Sequence, residues 1–391
     1  MYIHENFIGG NIKVIKQDKN IFFLDNNLRD TTSDWFYWAF CVEGAAGQTL
    51  TFQFRDTRLG YWGPAVSHDL LYWEWLGTKD SDCFTYSFRA EEDKVYFAHH
   101  MLYHPERFEA FAAERGLKVK TLAVSEKGRK IPYIELNNPK TYTEGNTKKI
   151  ILTARHHACE STGNYILEGI LDELARNPIE GYSIMSVPFV DYDGVIDGDQ
   201  GKNRYPHDHN RDYTPDIQAI YASVAAIRKF IAEENVVFGF DFHAPFHSGG
   251  VRDTCFIVQK SKKDLSKLNR FGELFEACVN EEASQKEIFR YKHENDYPPD
   301  FGWNKSDAPT FAFYVMEKET AELAFTLETA YFGTSDNIFA SEKVVETGRC
   351  FAKALRKYIN DCNEHAPTKE AMLAVGDKFI VDYVRVFDII E

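Results

Sequence analysis

The sequence lacks the long apolar segment and the paired cysteines that would mark a membrane protein or a disulfide-bonded secreted one. No run of about 18 apolar residues occurs, and the N-terminus has no basic segment followed by an apolar one, as a secretory signal would. The seven cysteines are dispersed, which is typical of a reducing compartment. We therefore expect a cytoplasmic protein.

The sequence also has fewer basic than acidic residues. The chain of 391 residues has 45 Lys and Arg against 60 Asp and Glu, a net charge of −15. This balance argues against a nucleic-acid partner or an anionic membrane partner. The length exceeds that of one ordinary core, and 44% hydrophobic residues are enough to fill two.

Helical periodicity is nearly absent from the first hundred residues. Short runs rich in β-branched and aromatic residues are separated there by Gly or Asp clusters; they are 35–42, 50–54 and 85–88. Such runs at this spacing are typical of β-strands in a sandwich. The pattern predicts an antiparallel β-sandwich domain over residues 1–100.

From residue 101 to 391 the pattern changes to strands that alternate with amphipathic helices, which predicts an α/β domain. The predicted strands are 149–154, 182–190, 236–243 and 322–329. The predicted helices are 165–174, 215–234 and 341–360, and 378–386 could form an extra strand.

Polar side chains follow or end several of these strands. His157 and Glu160 follow the first strand in a His-x-x-Glu pattern, and His243 ends the third. Ligands of open α/β sheets bind outside the carboxyl ends of the strands. Two histidines and a glutamate form a ligand set of catalytic zinc, so the three residues are candidate metal ligands. His156-x-x-Cys159 has ligand spacing too, and a Cys ligand with no second Cys motif nearby makes it the weaker alternative.

Two acidic residues at strand ends have other candidate roles. Glu328 lies on the face of the last strand opposite Leu323, Phe325 and Leu327. A carboxyl group in an apolar strand is costly unless it has a partner, so Glu328 is the candidate general base. Asp241 is either a support for a metal ligand or a helix cap.

With Asn210-Arg211 and Thr326-Leu-Glu328 following in that order, the sequence resembles the M14 zinc metallocarboxypeptidases over roughly residues 95–360. Within that family it is most similar to the cytosolic-carboxypeptidase-like branch, which has a β-sandwich before the catalytic domain. The resemblance implies a mixed-sheet α/β catalytic domain over residues 101–391.

The resemblance also implies roles for individual residues. Zn²⁺ would be held by His157, Glu160 and His243, and Asp208 would orient one of the imidazoles. Asn210 and Arg211 would bind the free α-carboxylate of a peptide substrate. Glu328 would be the general base, and Arg204 would stabilise the oxyanion together with the metal.

The implied activity is hydrolysis of a C-terminal peptide or isopeptide bond. Two departures from the family pattern stand out: Ala158-Cys159 replaces the usual Pro-Gly, and the interval from Arg204 to Arg211 is short. The branch suggests an acidic side chain on the residue removed, for which Lys202 and Arg252 are candidate binders. Peptidoglycan-derived peptides are an equal alternative as substrates. Tyr314 is a candidate for the aromatic residue that closes the pocket.

Two other functions compete with this interpretation. A zinc-dependent deacylase of small N-acyl amino acids would share the ligand pattern and the Asn-Arg pair. A catalytically silent scaffold would not require Glu328 or a complete ligand set, and both are present here.

Overall fold

The computed structural model describes residues 1–55, 58–77, 82–137, 147–245, 253–260, 265–305 and 307–364. The predicted extra strand 378–386 and the candidate Arg252 lie outside these ranges. Within them, none of the helices has the length and apolar character needed to cross a lipid bilayer.

The first hundred residues form two β-sheets. In their described part, nine strands follow in order: β1 (Tyr2–His4), β2 (Lys13–Asp18), β3 (Ile21–Asp25), β4 (Ala39–Glu43), β5 (Thr49–Phe54), β6 (Ala65–Ser67), β7 (Glu74–Trp75), β8 (Cys83–Ser87) and β9 (Lys94–Ala98). One sheet has the order β1-β4-β9-β6-β7 and the other β2-β3-β5-β8. Their strands pair antiparallel, as predicted, except that β3 and β5 run parallel.

The two sheets face each other across an aromatic core. Leu50, Phe52 and Phe54 alternate along β5 with more exposed residues and point inward, as the two-residue period of a strand requires. The ring of Phe52 lies 5.4 Å from that of Phe97 in the facing sheet. This packing explains the wealth of Phe in the predicted strands.

The rest of the described chain alternates helices and strands. The elements are α1 (Pro105–Glu114), β10 (Lys120–Val124), β11 (Lys130–Asn137), β12 (Lys148–Ala154), α2 (Gly163–Arg176), β13 (Tyr182–Val187), α3 (Tyr192–Asp197), α4 (Ala222–Glu233), β14 (Val236–His243), β15 (Cys255–Val258), α5 (Leu265–Ala283), α6 (Phe311–Met316), β16 (Leu323–Thr329), β17 (Gly333–Thr334), β18 (Asn337–Ile338) and α7 (Ser341–Glu364). Short 3₁₀ turns lie at His209–Arg211 and His293–Asn295.

A seven-stranded mixed sheet forms the centre of this region. Its order is β10-β11-β13-β12-β14-β16-β15. The four strands β13, β12, β14 and β16 are parallel, and β11 and β15 pair antiparallel at their two sides. Helices α2, α5 and α7 cover one face, and α4 and α6 cover the other. The predicted mixed α/β architecture is confirmed.

Helix α4 differs from its prediction at the N-terminal end. The sequence predicts a start at Pro215, but the helix begins at Ala222. The carboxylate of Asp212 accepts hydrogen bonds from the backbone N–H groups of Ile220 and Tyr221. These bonds hold residues 212–221 as a connection that precedes the helix, because the side chain competes with the helical hydrogen bonds.

The two regions share one continuous core. Ala39 and Cys41 of β4 belong to the same buried cluster as Phe240 of β14 and Phe351 of α7. The five-stranded sheet thus packs one face on the aromatic core of the sandwich and the other on the α/β region. The boundary at residue 100 remains a prediction.

Candidate active site

Three neighbouring strands bring their carboxyl ends to one place. Strand β14 lies between β12 and β16 in parallel register, and His243 at the end of β14 pairs with Glu328 on β16. The loop with His157 and Glu160 follows β12 directly. Parallel strands end on the same edge of a sheet, so the four side chains meet there.

His157, Glu160 and His243 form a compact cluster of possible metal ligands. The Nδ1 of His157 lies 2.9 Å from Oε1 of Glu160, and the Nδ1 of His243 lies 2.7 Å from Oε2. The two Nδ1 atoms are 3.2 Å apart. All three side chains are buried.

The donor set fits zinc in kind, and the separation of its two imidazole nitrogens is close to that of zinc ligands. Zinc binds imidazole nitrogen and carboxylate oxygen at about 2.0–2.2 Å in tetrahedral sites, so two ligand atoms there are separated by about 3.3–3.5 Å. The 3.2 Å between the Nδ1 atoms of His157 and His243 is close to that separation. One cavity of about 360 Å³ is lined by His157, His243 and Glu328, which gives the cluster access to a substrate.

His156 has a different environment from His157. Its Nδ1 lies 2.8 Å from Oδ1 of Asp241 and its Nε2 lies 2.7 Å from the hydroxyl of Tyr213. Both ring nitrogens are therefore used in hydrogen bonds, and His156 does not line the cavity. This placement favours His157 and Glu160 as the metal ligands over the alternative pair His156 and Cys159.

Both carboxylate oxygens of Asp241 have partners, and one of them contacts the ring of His243 on its Nε2 side. Its Oδ2 lies 2.6 Å from Nε2 of His243, and its Oδ1 accepts a hydrogen bond from Thr153 and contacts His156. Burial would raise the pKa of Asp241, but the two imidazoles hold it well below its usual range. The contact fixes the ring so that Nδ1 faces Glu160.

Asp208, the predicted support, lies beside His157. Its Oδ1 is 3.6 Å from Nε2 of that ring, longer than a hydrogen bond. Asp208 also caps the 3₁₀ turn His209–Arg211 by accepting from the backbone N–H of Asn210. The structure thus brings the predicted Asp208 to the cluster, and Asp241 is the more tightly bonded support.

Glu328 lies buried at the cavity wall with unused hydrogen-bonding capacity. Its Oε2 has no hydrogen-bond partner among the described residues. Burial raises the pKa of Glu328 to about 7, and the negative charge of Glu160 acts in the same direction. A carboxyl group with this pKa can both accept and return a proton near neutral pH.

Asn210 and Arg211 reach the same cavity through the 3₁₀ turn. The Oδ1 of Asn210 accepts from the backbone N–H of Phe311, and its Nδ2 lies 3.2 Å from Nε2 of His243. Arg211 donates to the carbonyl oxygen of Asn210 and forms no ion pair within the described residues. The turn therefore presents a guanidinium with unused donors near the metal-ligand cluster.

Arg204, predicted at the oxyanion, points elsewhere. Its guanidinium contacts Asp30 at 3.0 Å, Asp191 at 2.7 Å and Asp199 at 3.0 Å. It does not line the cavity of the metal-ligand cluster. Three carboxylates surround this cation, so the structure does not bring Arg204 to the candidate site.

Two lysines line the cavity instead. The Nζ of Lys202 lies 2.6 Å from Oε1 of Glu160, and Lys202 was considered from the sequence only as a side-chain binder. Lys260 follows β15; its Nζ donates to Oδ1 of Asn304 at 2.8 Å. Burial, together with the positive charge of Arg211, lowers the pKa of Lys260 to about 8. Sequence reasoning missed Lys260, although a basic residue just after the apolar run Cys255–Val258 was a usable signal.

The aromatic lining also differs from the expectation. Tyr314 packs in the cluster beneath α4 and α6, beside Tyr213, and does not line the cavity. The indoles of Trp35 and Trp303 line it instead, and Trp303 is 56% exposed. Trp35 comes from the N-terminal region, so both regions contribute to the site.

The loop that carries Lys202 is fixed on the His-x-x-Glu loop by a close backbone contact. Gly201 has a φ of +73°, and a Cβ there would lie 2.1 Å from the backbone nitrogen of Ala158. Only glycine fits such an approach with that backbone conformation. The N–H of Cys159 donates to the carbonyl oxygen of Gln200, which joins the two loops.

Comparisons with known proteins agree with this geometry. The family model described as zinc carboxypeptidase, M14, matches residues 110–229. Cytosolic carboxypeptidase 2 of Xenopus tropicalis is 23% identical over 299 residues, which cover 70% of this chain and 30% of that protein. The chain thus spans less than a third of the length of that relative.

Solved bacterial structures share the fold over almost the whole chain. A metallo-carboxypeptidase from Burkholderia cenocepacia superposes with a TM-score of 0.73 at 19% identity, covering 92% of this chain and 99% of that one. A metallo-carboxypeptidase from Pseudomonas aeruginosa gives a TM-score of 0.72 at 20% identity, with the same coverage. With the ligand cluster, these findings show that the chain contains a region that matches the M14 zinc carboxypeptidase model, and that it is similar to the cytosolic carboxypeptidases in sequence and to bacterial metallo-carboxypeptidases in fold.

Proposed function

We propose that the protein is a zinc-dependent carboxypeptidase that removes the C-terminal residue of a peptide by hydrolysis of a peptide or isopeptide bond. The observation that supports this most directly is the convergence of His157, Glu160 and His243 in a cavity that also holds Glu328 and Arg211. A metal-ligand set, a base and a carboxylate binder are the groups that the reaction requires.

Glu328 is the proposed proton carrier. A zinc ion held by the three ligands would supply a water of lowered pKa and would polarise the scissile carbonyl. Glu328 accepts the proton of the attacking water through its unpartnered Oε2 and later gives it to the departing amine. The pKa of about 7 suits both transfers, because neither form of the carboxyl group is strongly favoured.

Arg211 and Asn210 are the proposed binders of the free α-carboxylate. A guanidinium offers two parallel N–H donors to a carboxylate, and Arg211 has no competing ion pair within the described residues. Recognition of a free carboxylate next to the metal-ligand cluster restricts cleavage to the last bond of the substrate. This restriction is the basis for proposing an exopeptidase.

Lys260 favours an acidic side chain on the residue removed. Its ammonium is buried at the cavity wall, and its neighbours there are the neutral oxygens of Asn304 and Lys305. A buried cation without a carboxylate partner is costly until a ligand supplies one. Arg211 and Lys260 together suit a residue with two carboxylates, such as glutamate or aspartate.

The first test is metal analysis followed by digestion of peptides that end in Glu, Gln, Leu or Lys. We expect about one zinc per chain and release of the C-terminal residue, read by mass spectrometry. Glu328→Gln should keep its zinc and lower kcat by about 100- to 10,000-fold, the usual contribution of a general base. Full activity of Glu328→Gln would contradict the proposed role, and failure to bind zinc would favour the silent scaffold.

An N-acyl amino acid deacylase is the second candidate, because Arg211 would hold the carboxylate of such a substrate equally well. The cavity of about 360 Å³ is large enough for a small molecule. A panel of N-acetyl amino acids, dipeptides and longer peptides separates the two activities by their kcat/KM values. Higher kcat/KM values for peptides support the carboxypeptidase.

We also propose a cytoplasmic location for the protein.

A further inference from the structure

Lys202 places a positive charge at the metal-ligand cluster. Its Nζ lies 2.6 Å from Oε1 of Glu160 and 5.0 Å from the centre of the Trp35 ring. Its side chain lines the same cavity wall as Glu328. Of the described cations that line the cavity, Lys202 is therefore the one with a hydrogen bond to the cluster.

The position of Lys202 is built from both regions of the chain. The carboxylate of Asp30 accepts from the backbone N–H groups of Gln200 and Gly201. The side chain of Gln200 bonds both the N–H and the C=O of Tyr37. Lys202 follows these anchored residues directly, so its backbone is held against movement toward or away from the cavity.

A purely structural ion pair with Glu160 does not account for this arrangement. Glu160 already contacts His157, His243 and the backbone N–H of Ala244. Once its charge is shared with a metal ion, the carboxylate has little left to neutralise an ammonium group. The positive charge of Lys202 then faces the cavity, where a substrate carbonyl would lie.

Arg204 cannot take this place. Its guanidinium is surrounded by the carboxylates of Asp30, Asp191 and Asp199. Moving it into the cavity would leave the buried or half-buried carboxylates of Asp30 and Asp191 without their guanidinium partner, which is strongly destabilising, and would leave Asp199 with Arg29. Lys202 is two residues away in sequence and already lines the cavity.

We propose that Lys202 is a catalytic residue that donates a hydrogen bond to the substrate carbonyl oxygen as that oxygen becomes negatively charged. The inference rests on the proposed hydrolytic function. When the oxygen of water bonds to the carbonyl carbon, the C=O π electrons move to the carbonyl oxygen and one water proton moves to Glu328. When the C–N bond breaks, those electrons re-form C=O and the amine takes the proton from Glu328. Lys202 keeps its own protons throughout.

The test compares Lys202→Met and Lys202→Arg with Lys127→Met. Lys127 is a matched control, because it is an exposed lysine that pairs with Asp197 outside the cavity. The measurements are kcat, KM, zinc affinity by chelator competition, and inhibition by a peptide phosphonate and by the released amino acid. The phosphonate replaces the scissile carbonyl with an anionic tetrahedral group, whereas the amino acid tests ground-state binding.

We expect Lys202→Met to lower kcat by about 100- to 1000-fold, as removal of one oxyanion donor does. Its affinity for the phosphonate should fall by a similar factor, while KM and inhibition by the amino acid stay close to wild type. Zinc affinity should be unchanged or higher, because a positive charge beside Glu160 has been removed. Lys202→Arg should keep most of the phosphonate affinity, and Lys127→Met should match wild type.

Several outcomes would overturn the inference. If Lys202 only holds Glu160 in place, Lys202→Met will lose zinc affinity and excess zinc will restore its activity. Equal losses of phosphonate and amino-acid binding would also contradict a transition-state role. If Lys202→Met does not fold, Lys202→Arg gives the answer instead. A folded Lys202→Arg that loses affinity for the phosphonate and for the amino acid by the same large factor would contradict the inference. A wild-type protein that binds zinc but cleaves no peptide would refute the proposed function itself.

Discussion

Two groups of charged side chains lie close together in this molecule and differ in how their charges are balanced. Around Arg204, the carboxylates of Asp30, Asp191 and Asp199 surround the guanidinium, and Arg29 also pairs with Asp199 at 2.8 Å. In the neighbouring cavity, Arg211 and Lys260 have no carboxylate partner within the described residues. A guanidinium that is paired with carboxylates holds loops together, whereas unbalanced cations next to a cavity, which lack a carboxylate partner, have free capacity for an anionic ligand. We therefore propose a structural role for the first group and substrate binding for the second.

The same division applies to acidic side chains. Asp241 receives contacts from Thr153, His156 and His243, so its acceptor capacity is used. Glu328 is equally buried and keeps one oxygen without a partner. The first carboxylate suits a positioning role and the second suits chemistry. Substitutions in the two groups should therefore affect different measured quantities.

The largest expected effect in the unbalanced group follows from Arg211→Ala. Loss of a charged partner for the α-carboxylate should lower kcat/KM for peptides with a free C-terminus by about 100-fold, from the 2–5 kcal/mol of such contacts. Peptide amides, which have no such carboxylate, should be cleaved no worse by the variant than by wild type. Parallel losses for acids and amides would place Arg211 outside the recognition of the C-terminus.

Asp241→Asn should act on metal binding. The amide cannot replace both contacts of the carboxylate, so the ring of His243 loses its fixed orientation. Zinc affinity should fall by about 10- to 100-fold, as is common for residues that orient metal ligands. Chelator competition gives this value directly, with Asp336→Asn as an exposed control. Unchanged zinc affinity with low activity would instead indicate that Asp241 acts in the catalytic step and not in metal binding.

Lys260 should make activity on acidic C-terminal residues dependent on pH. Its pKa of about 8 means that the ammonium is protonated below pH 8 and loses its charge as the pH rises through that value. The kcat/KM for a C-terminal Glu should therefore fall above about pH 8, and that for a C-terminal Gln should not show this step. Lys260→Arg should remove the step, and Lys260→Met should lower kcat/KM for the Glu peptide by about 10-fold or more.

The smallest effect on catalysis is expected for Arg204→Lys. The variant keeps the charge but loses the guanidinium fork, so it should lower the free energy of unfolding by about 1–3 kcal/mol. Its kcat/KM should stay close to wild type after folding is verified by circular dichroism. A large fall in kcat with unchanged stability would reverse the division between the two groups.

The sequence predicted the meeting of the strand-end residues well for a physical reason. His243 and Glu328 lie in adjacent parallel strands, and parallel register brings their ends together without any knowledge of loops. The α/β character of one region and the antiparallel sandwich sheets followed from periodicity, and the mixed sheet was implied by the family resemblance. The parallel pairing of β3 with β5 did not, because strand pairing depends on contacts that are distant in sequence.

Loop residues were predicted less well. The direction of Arg204 is set by Asp30, which is 174 residues away in the chain. The start of α4 was displaced because Asp212 bonds the backbone ahead of the helix. The pKa of Lys260 is lowered in part by the charge of Arg211, which lies far from it in the sequence, so no local pattern could reveal the effect. Each of these features depends on a long-range partner.

The anchoring of Gln200 and Gly201 by Asp30 and Tyr37 has a consequence for how this protein can be divided into fragments. The N-terminal sandwich supplies the hydrogen-bond partners that hold a loop of the candidate active site, and Trp35 of the same region lines the cavity. A fragment lacking the sandwich would retain every proposed zinc ligand yet have no scaffold for Lys202. The sandwich is thus an integral part of the candidate active site rather than a separable domain. Exchanging it between relatives would require the residues that make these contacts to be exchanged with it.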